Sequence, residues 1–173
     1  SPCIRLVHIR DNKPSKAVSM TYTIGTKNIA PQPALLIRRR VKPSEIAATL
    51  AELFGRIFVH IQNNGGTISG QPFMRYIEWG PGLLTIEAGL PVASAIPGDG
   101  DIVMDSLPGG LVATTTHIGP YELLSQAHAA VQVWIHENGH QPAGSPWEVY
   151  VTDPADYPDP KDWKTDVFWP LAS

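Results

Sequence analysis

One carboxylate in an otherwise apolar strand is the residue of this sequence best suited to do chemistry. Glu148 lies within Trp147-Glu148-Val149-Tyr150, and alternation along a strand puts Glu148 and Tyr150 on the same face. Burying a carboxylate without a partner costs several kcal/mol. Two interpretations follow. Glu148 either forms the bottom of an aromatic pocket for a cationic or hydrogen-bond-donating ligand, or it is an edge-strand glutamate that is solvated or paired with an arginine of residues 38–40.

The segment that carries Glu148 occurs twice in the chain. Ile61–Tyr76 reads IQNNGGTISGQPFMRY and Ile135–Tyr150 reads IHENGHQPAGSPWEVY, with matching residues 74 positions apart. At this separation Met74 corresponds to Glu148. The shared Asn-Gly, Gly and Pro positions serve the fold, whereas the unshared pair marks the binding end of a seam between the copies, where pockets commonly form.

Similar elements surround the two copies. Repeat one, about 34–92, contains a strand at 34–41, a helix from Pro43 to Asn64 and a hairpin over 73–92; repeat two, about 110–172, has the same order. The sequence therefore predicts an α+β fold of duplicated β-α-β-β units. These form one mixed or antiparallel sheet with both helices on one face and a ligand cleft between the repeats. The opposite face of the sheet is expected to be free for binding.

The remaining segments precede or connect the repeats. Residues 1–19 are expected to form an N-terminal arm, with a possible edge strand at Met20–Ile24, and residues 20–173 a single domain. Residues 93–109 carry Pro-Gly turns at both ends and are predicted to be a linker.

Composition excludes several function classes. With 173 residues, 43% hydrophobic and 17% charged, the chain is large enough for one core. A net charge of -3 and a pI near 6.0 give no basic surface, so we expect this chain itself to bind no nucleic acid. No apolar run approaches the ~20 residues of a membrane span, so no membrane partner is expected. Cys3 is the only cysteine, which fits the reducing cytoplasm.

Four segments of the second half, in order, resemble a known family. They are His117-Ile118-Gly119-Pro120-Tyr121-Glu122, Trp134-Ile135-His136-Glu137-Asn138-Gly139, Trp147-Glu148-Val149-Tyr150 with Thr152-Asp153-Pro154, and Thr165-Asp166-Val167-Phe168-Trp169-Pro170-Leu171. Their order and spacing resemble the GyrI-like family over residues 20–172. This family comprises the effector-binding domains of multidrug-sensing transcription regulators and stand-alone proteins.

The resemblance implies the duplicated fold and favours the pocket interpretation of Glu148. In the family, a glutamate in this strand is the usual anchor for cationic, aromatic ligands. The other pocket residues vary between members, so the remaining candidates are chosen by face and position. These candidates are Tyr150, Tyr76, Tyr121, Met74, Phe168 and Trp169. Residues 1–30 are too short and too polar for a helix-turn-helix, so direct transcriptional control is not expected.

Three functions stay open. The first is a stand-alone protein that captures or senses amphipathic, aromatic or cationic ligands in a cleft anchored by Glu148. The resemblance adds a hydrolase of strained, cyclopropanoid electrophiles, in which Glu148 is the general base and Tyr121 or Tyr150 orients or protonates the substrate. Burial is expected to raise the pKa of Glu148 towards neutrality for that role. The third is an interaction subunit that modulates a topoisomerase or gyrase, as the family's namesake does.

Metal and cofactor chemistry is not indicated. The pairs His128 with His136 and His136 with His140 lack the carboxylates of a convincing metal site. His117, at the end of a strand, is expected to be structural. No nucleophile elbow, phosphate loop or dinucleotide motif occurs in the sequence. We therefore expect neither a metal nor a cofactor.

Overall fold

The computed structural model describes residues 21–173, in which eight strands and two α-helices are found. The elements are β1 (Gly25–Ile29), β2 (Gln32–Val41), α1 (Ile46–Asn63), β3 (Phe73–Trp79), β4 (Leu84–Pro91), β5 (Val103–Leu107), β6 (Gly110–Ile118), α2 (Leu124–Glu137), β7 (Trp147–Tyr150) and β8 (Lys164–Pro170). The predicted arm at 1–19 and Met20 lie outside the described residues. The first strand begins at Gly25, after the predicted edge strand has ended.

All strands belong to one antiparallel sheet in the order β1-β6-β8-β7-β3-β4-β2-β5. Repeat one contributes β2, α1, β3 and β4, and repeat two contributes β6, α2, β7 and β8. The predicted α+β fold of two β-α-β-β units is confirmed. The two halves meet where β3 pairs with β7, at the centre of the sheet.

The pairing at this central junction follows the internal repeat. Met74 lies directly opposite Glu148, Phe73 opposite Val149 and Arg75 opposite Trp147. Because Met74 and Glu148 occupy the same position in their repeats, an approximate two-fold axis passes between them. Met74 and Glu148, which differ between the two copies, therefore lie side by side at the seam.

The helices cover the same face of the sheet but form separate cores. In α1, Leu53, Ile57 and Ile61 recur at helical spacing and are buried on β2 and β4. In α2, Ala127 and Val131 are buried against β6 and β8. The strands β3 and β7 lie between these two cores, so their helix-facing side chains line the gap between α1 and α2. Within residues 21–173, neither helix combines the length and apolarity that a bilayer crossing requires.

The predicted linker at 93–109 contains the edge strand β5, which pairs with β2 of repeat one. The other edge strand, β1, precedes repeat one but pairs with β6 of repeat two. Each repeat is thus extended by the strand that immediately precedes the other repeat in the sequence. The repeat unit is β-β-α-β-β, with its first strand exchanged between the halves.

The face opposite the helices is not free, contrary to the sequence-based expectation. Phe73 and Trp147 point to this face and are 0% and 2% exposed, in a cluster with Leu107 of β5. Ile29 of β1 packs against the same cluster. The two edges of an eight-stranded sheet reach one cluster only if the sheet is strongly curled. Its own side chains fill this face, so the helix-covered face remains for a site.

Candidate functional site

Glu148 of β7 is buried beneath the gap between the two helices, with 1% of its surface exposed. Three side chains donate hydrogen bonds to its carboxylate. The Tyr76 hydroxyl of β3 donates to Oε1 over 2.6 Å, His128 Nε2 of α2 donates to Oε1 over 2.7 Å, and the Tyr150 hydroxyl donates to Oε2 over 2.8 Å. The carboxylate is therefore compensated by hydrogen bonds drawn from both repeats.

His128 is itself held by Trp169 of β8. The indole Nε1 of Trp169 donates to His128 Nδ1 over 3.0 Å. Because an indole N–H can only donate, Nδ1 must be the accepting nitrogen and the ring proton lies on Nε2. His128 is then neutral, and none of the three donors to Glu148 carries a charge.

Burial and hydrogen bonding act in opposite directions on Glu148. Burial alone raises the pKa of this carboxyl, but the hydrogen bonds from His128, Tyr76 and Tyr150 outweigh burial and hold the pKa below its ordinary value. The expectation that burial brings the pKa of Glu148 towards neutrality is wrong for this reason. Burial, together with the negative charge of Glu148, also raises the pKa of Tyr76 and Tyr150 well above that of a free tyrosine.

Aromatic rings form the rim above Glu148. Tyr76 stacks on Trp79, with ring centroids 4.4 Å apart. Tyr150 meets the edges of Phe54 from α1, at 6.2 Å, and of Tyr121 from the turn before α2, at 5.6 Å. All five residues are partly exposed. Partly exposed aromatic rings thus lie between solvent and the buried carboxylate, in the gap between the two helices.

The structure brings most of the predicted site residues to one place. Tyr76 and Tyr150 bind Glu148 directly, Met74 is buried opposite it, and Tyr121 lies at the rim. Trp169 does not form a pocket wall, since it is 1% exposed and holds His128 from below.

Phe168 does not belong to this group. It stacks on Trp147, at 5.3 Å between centroids, on the opposite face of the sheet. The reason is strand alternation, because Phe168 and Trp169 are neighbours on β8 and point to different faces.

Sequence reasoning missed His128 and Trp79. At the repeat separation of 74 residues, His128 corresponds to Phe54, so a polar residue replaces an apolar one as at Met74 and Glu148. Comparing buried helix positions between the repeats could have found it. Trp79 is hidden by a β-bulge between Tyr76 and Glu78, which shifts the alternation and returns Trp79 to the face of Tyr76.

His117 is a structural residue, as predicted. It is fully buried, its Nε2 donates to the Pro120 carbonyl over 3.0 Å, and its Nδ1 accepts from the Tyr22 hydroxyl at 2.8 Å. Both ring nitrogens are satisfied, and neither partner belongs to the group that bonds to Glu148.

A duplicated sheet, paired helices and a buried carboxylate beneath an aromatic rim are together typical of a small-molecule-binding domain of the effector-binding type. The chain belongs to the GyrI-like small molecule binding domain family, whose model matches residues 20–172. A search of curated protein sequences found no match.

Solved structures share the fold at low sequence identity. The C-terminal domain of EcmrR has a TM-score of 0.80 at 23% identity, covering 89% of this chain and 99% of that domain. In an EcmrR–DNA complex the TM-score is 0.79 at 22% identity; 98% of this chain is covered, but only 64% of EcmrR. SAV2435 bound to tetraphenylphosphonium has a TM-score of 0.61 at 12% identity, with 89% and 95% of the two chains covered. A hydrolase from Listeria innocua has a TM-score of 0.64 at 11% identity, with 87% and 92% covered.

Proposed function

We propose that this domain binds small amphipathic molecules that carry a positive charge and aromatic groups. The observation that carries the proposal is a buried carboxylate with only neutral hydrogen-bond donors, lying beneath partly exposed aromatic rings. A cation that reaches Glu148 neutralises a charge that is stabilised by hydrogen bonds but not paired with an arginine or lysine, and the rings of Tyr76, Trp79 and Tyr150 offer their faces to it. The predicted cytoplasmic location is part of this proposal and rests on the sequence.

Ligand entry requires the aromatic rim to move. Glu148 is 1% exposed because the hydroxyls of Tyr76 and Tyr150 close over it. A carboxylate can accept about four hydrogen bonds, and Glu148 accepts three, two of them on Oε1. Oε2 is therefore the oxygen better able to receive a ligand, and rotation of the Tyr150 ring is the simplest way to expose it.

Binding is better supported than hydrolysis by the same residues. A general base works best with a pKa near the operating pH, whereas the pKa of Glu148 is held below its ordinary value. The similarity to a hydrolase from Listeria innocua lies in the fold.

Titration with tetraphenylphosphonium tests the proposal, since this cation is bound by the structural relative SAV2435. We expect saturable binding that Glu148→Gln weakens by about 10-fold or more, equal to roughly 1.4 kcal/mol, because the mutant lacks the charge. The nearly isosteric anion tetraphenylborate should bind far more weakly to the wild-type protein.

Glu87 provides a matched control. It is a second buried glutamate, 3% exposed, but it lies on the opposite face of the sheet and is paired with Arg38 and Arg75. Glu87→Gln should leave tetraphenylphosphonium affinity within about twofold of wild type, since Glu87 and Glu148 lie on opposite faces of the sheet. Equal losses in both variants, or unchanged affinity in Glu148→Gln, would refute the assignment of Glu148 as anchor.

A further inference from the structure

The chain of hydrogen bonds from Trp169 through His128 to Glu148 has only one possible direction. The indole Nε1 donates to His128 Nδ1 over 3.0 Å, and His128 Nε2 donates to Glu148 Oε1 over 2.7 Å. Trp169 and His128 are 1% and 2% exposed, so water does not replace either partner. A histidine in water can take up a second proton, but at this position Nδ1 already accepts the indole proton.

A second proton on His128 would have two consequences. At Nδ1 it would set two N–H groups against each other across the 3.0 Å contact with Trp169. It would also place an imidazolium 2.7 Å from the carboxylate, where it would cancel the charge of Glu148. The ionisable groups that face this pair are Tyr76 on β3, Tyr150 on β7 and Tyr121 beside α2, all neutral when protonated.

We propose that Trp169 and His128 are positioning residues that keep the Glu148 carboxylate a net anion while ordinary histidines take up a proton. This inference rests on the proposed function, because the retained charge is what attracts a cationic ligand. Repeat one has no such chain, since Phe54 stands in the place of His128. Trp169 therefore acts on the ligand only through His128, and His128 only through Glu148.

The tautomer can be measured directly in the wild-type protein. Long-range proton–nitrogen NMR correlations distinguish the Nε2–H, Nδ1–H and doubly protonated forms of a histidine ring, and loss of one signal set in His128→Phe assigns the ring. We expect His128 to remain in the Nε2–H form at pH 7.5 and at pH 6. A doubly protonated ring, or the Nδ1–H form, at either pH would overturn the inference.

The role in ligand binding is tested by pH profiles of tetraphenylphosphonium affinity. Between pH 8 and pH 6 we expect less than about a twofold change for wild type. Trp169→Phe keeps an aromatic ring but removes the indole donor, which frees Nδ1 to take up a proton. Its affinity should fall by about 10-fold over the same interval, as the imidazolium cancels the Glu148 charge.

A double variant separates this role from a packing defect. His128→Phe combined with Trp169→Phe has no imidazole to protonate, so its affinity should again be independent of pH, whatever its absolute value. If the double variant keeps the pH dependence of Trp169→Phe, the titrating group is not His128 and the inference fails. If tetraphenylphosphonium does not bind wild type at all, the proposed function fails, while the NMR measurement still decides the state of His128.

Discussion

Glu148 and Glu87 are both buried carboxylates, but they differ in whether an arginine balances their charge. Glu87 is paired with the guanidinium groups of Arg38, at 3.0 Å, and Arg75, at 3.3 Å. Its charge is balanced within the protein. Glu148 receives hydrogen bonds from two hydroxyls and a neutral imidazole, which stabilise the carboxylate without neutralising it. Of these two buried glutamates, Glu148 is the one whose charge is not paired with an arginine or lysine side chain.

The hydroxyls of Tyr76 and Tyr150 should make the protein less stable at alkaline pH. Their pKa values are raised in the folded state, so both stay protonated there after the unfolded chain has begun to lose the same protons near pH 10. The folded state then binds more protons, and the free energy of unfolding falls as pH rises. The expected slope is about 1.4 kcal/mol per pH unit for each tyrosine above pH 10, and the contribution is complete below that pH.

Urea unfolding at pH 9, 10 and 11 measures this dependence. The Tyr76→Phe, Tyr150→Phe double variant should be less stable at pH 9, because Glu148 loses two donors, but should lose less additional stability on going to pH 11. Tyr157→Phe, which alters an exposed tyrosine, is the control and should follow wild type. Parallel curves for wild type and the double variant would contradict the prediction.

At the level of elements, the exchange of the edge strands joins the two repeats. β1 extends the half of the sheet built by repeat two, and β5 extends the half built by repeat one. The corners β1–β2 and β5–β6 meet as a result, and Gly109 of one corner lies against Pro31 of the other. The halves cannot separate without removing an edge strand from each, so the seam that holds Glu148 is held from both ends.

The corner contact predicts a large effect for a small substitution. A Cβ at residue 109 would lie 2.6 Å from Pro31 Cδ and 2.7 Å from its nitrogen. Gly109→Ala should therefore lower the free energy of unfolding by about 1–3 kcal/mol through overpacking. Gly55→Ala, in the exposed middle of α1 where a Cβ meets nothing within 4 Å, should instead raise it by about 0.5–1 kcal/mol. The midpoints of urea unfolding of the two variants and wild type measure these changes. A Gly109→Ala variant as stable as wild type would show that the two corners are not tightly packed.

The sequence predicts elements well where burial leaves a periodic pattern. The stripe of Leu53, Ile57 and Ile61 marks α1 because one helix face is buried. β5 has no comparable pattern, since only Leu107 of its five residues is buried, and an edge strand needs few apolar side chains. The same limit applies to the site. Glu148 stands out as a charge in an apolar strand, whereas the bulge hides Trp79 and the long-range bonds that give His128 its role leave no local signal.

Over the whole molecule, one fold unit is used in two ways. In repeat one the corresponding positions hold the partly exposed Phe54 and the buried Met74, and a leucine, Leu90, precedes the closing proline. In repeat two the corresponding residues are His128, Glu148 and Trp169, which form the hydrogen-bonded chain. The fold itself does not require these hydrogen-bonded side chains, because repeat one packs the same elements with apolar side chains.

Replacing His128, Glu148 and Trp169 together should therefore restore part of the stability that is lost when Glu148 alone is replaced. Glu148→Met alone leaves the His128 donor and two tyrosine hydroxyls without an acceptor, which should lower the free energy of unfolding by about 2–5 kcal/mol. Adding His128→Phe and Trp169→Phe removes the histidine and indole donors as well and should recover about 1–2 kcal/mol of that loss. Neither variant should bind tetraphenylphosphonium, since both lack the anchor. Urea unfolding compares the two, and a triple variant less stable than Glu148→Met would show that the polar chain is needed for folding. Recovery of stability without binding would mean that repeat two keeps His128, Glu148 and Trp169 for the ligand.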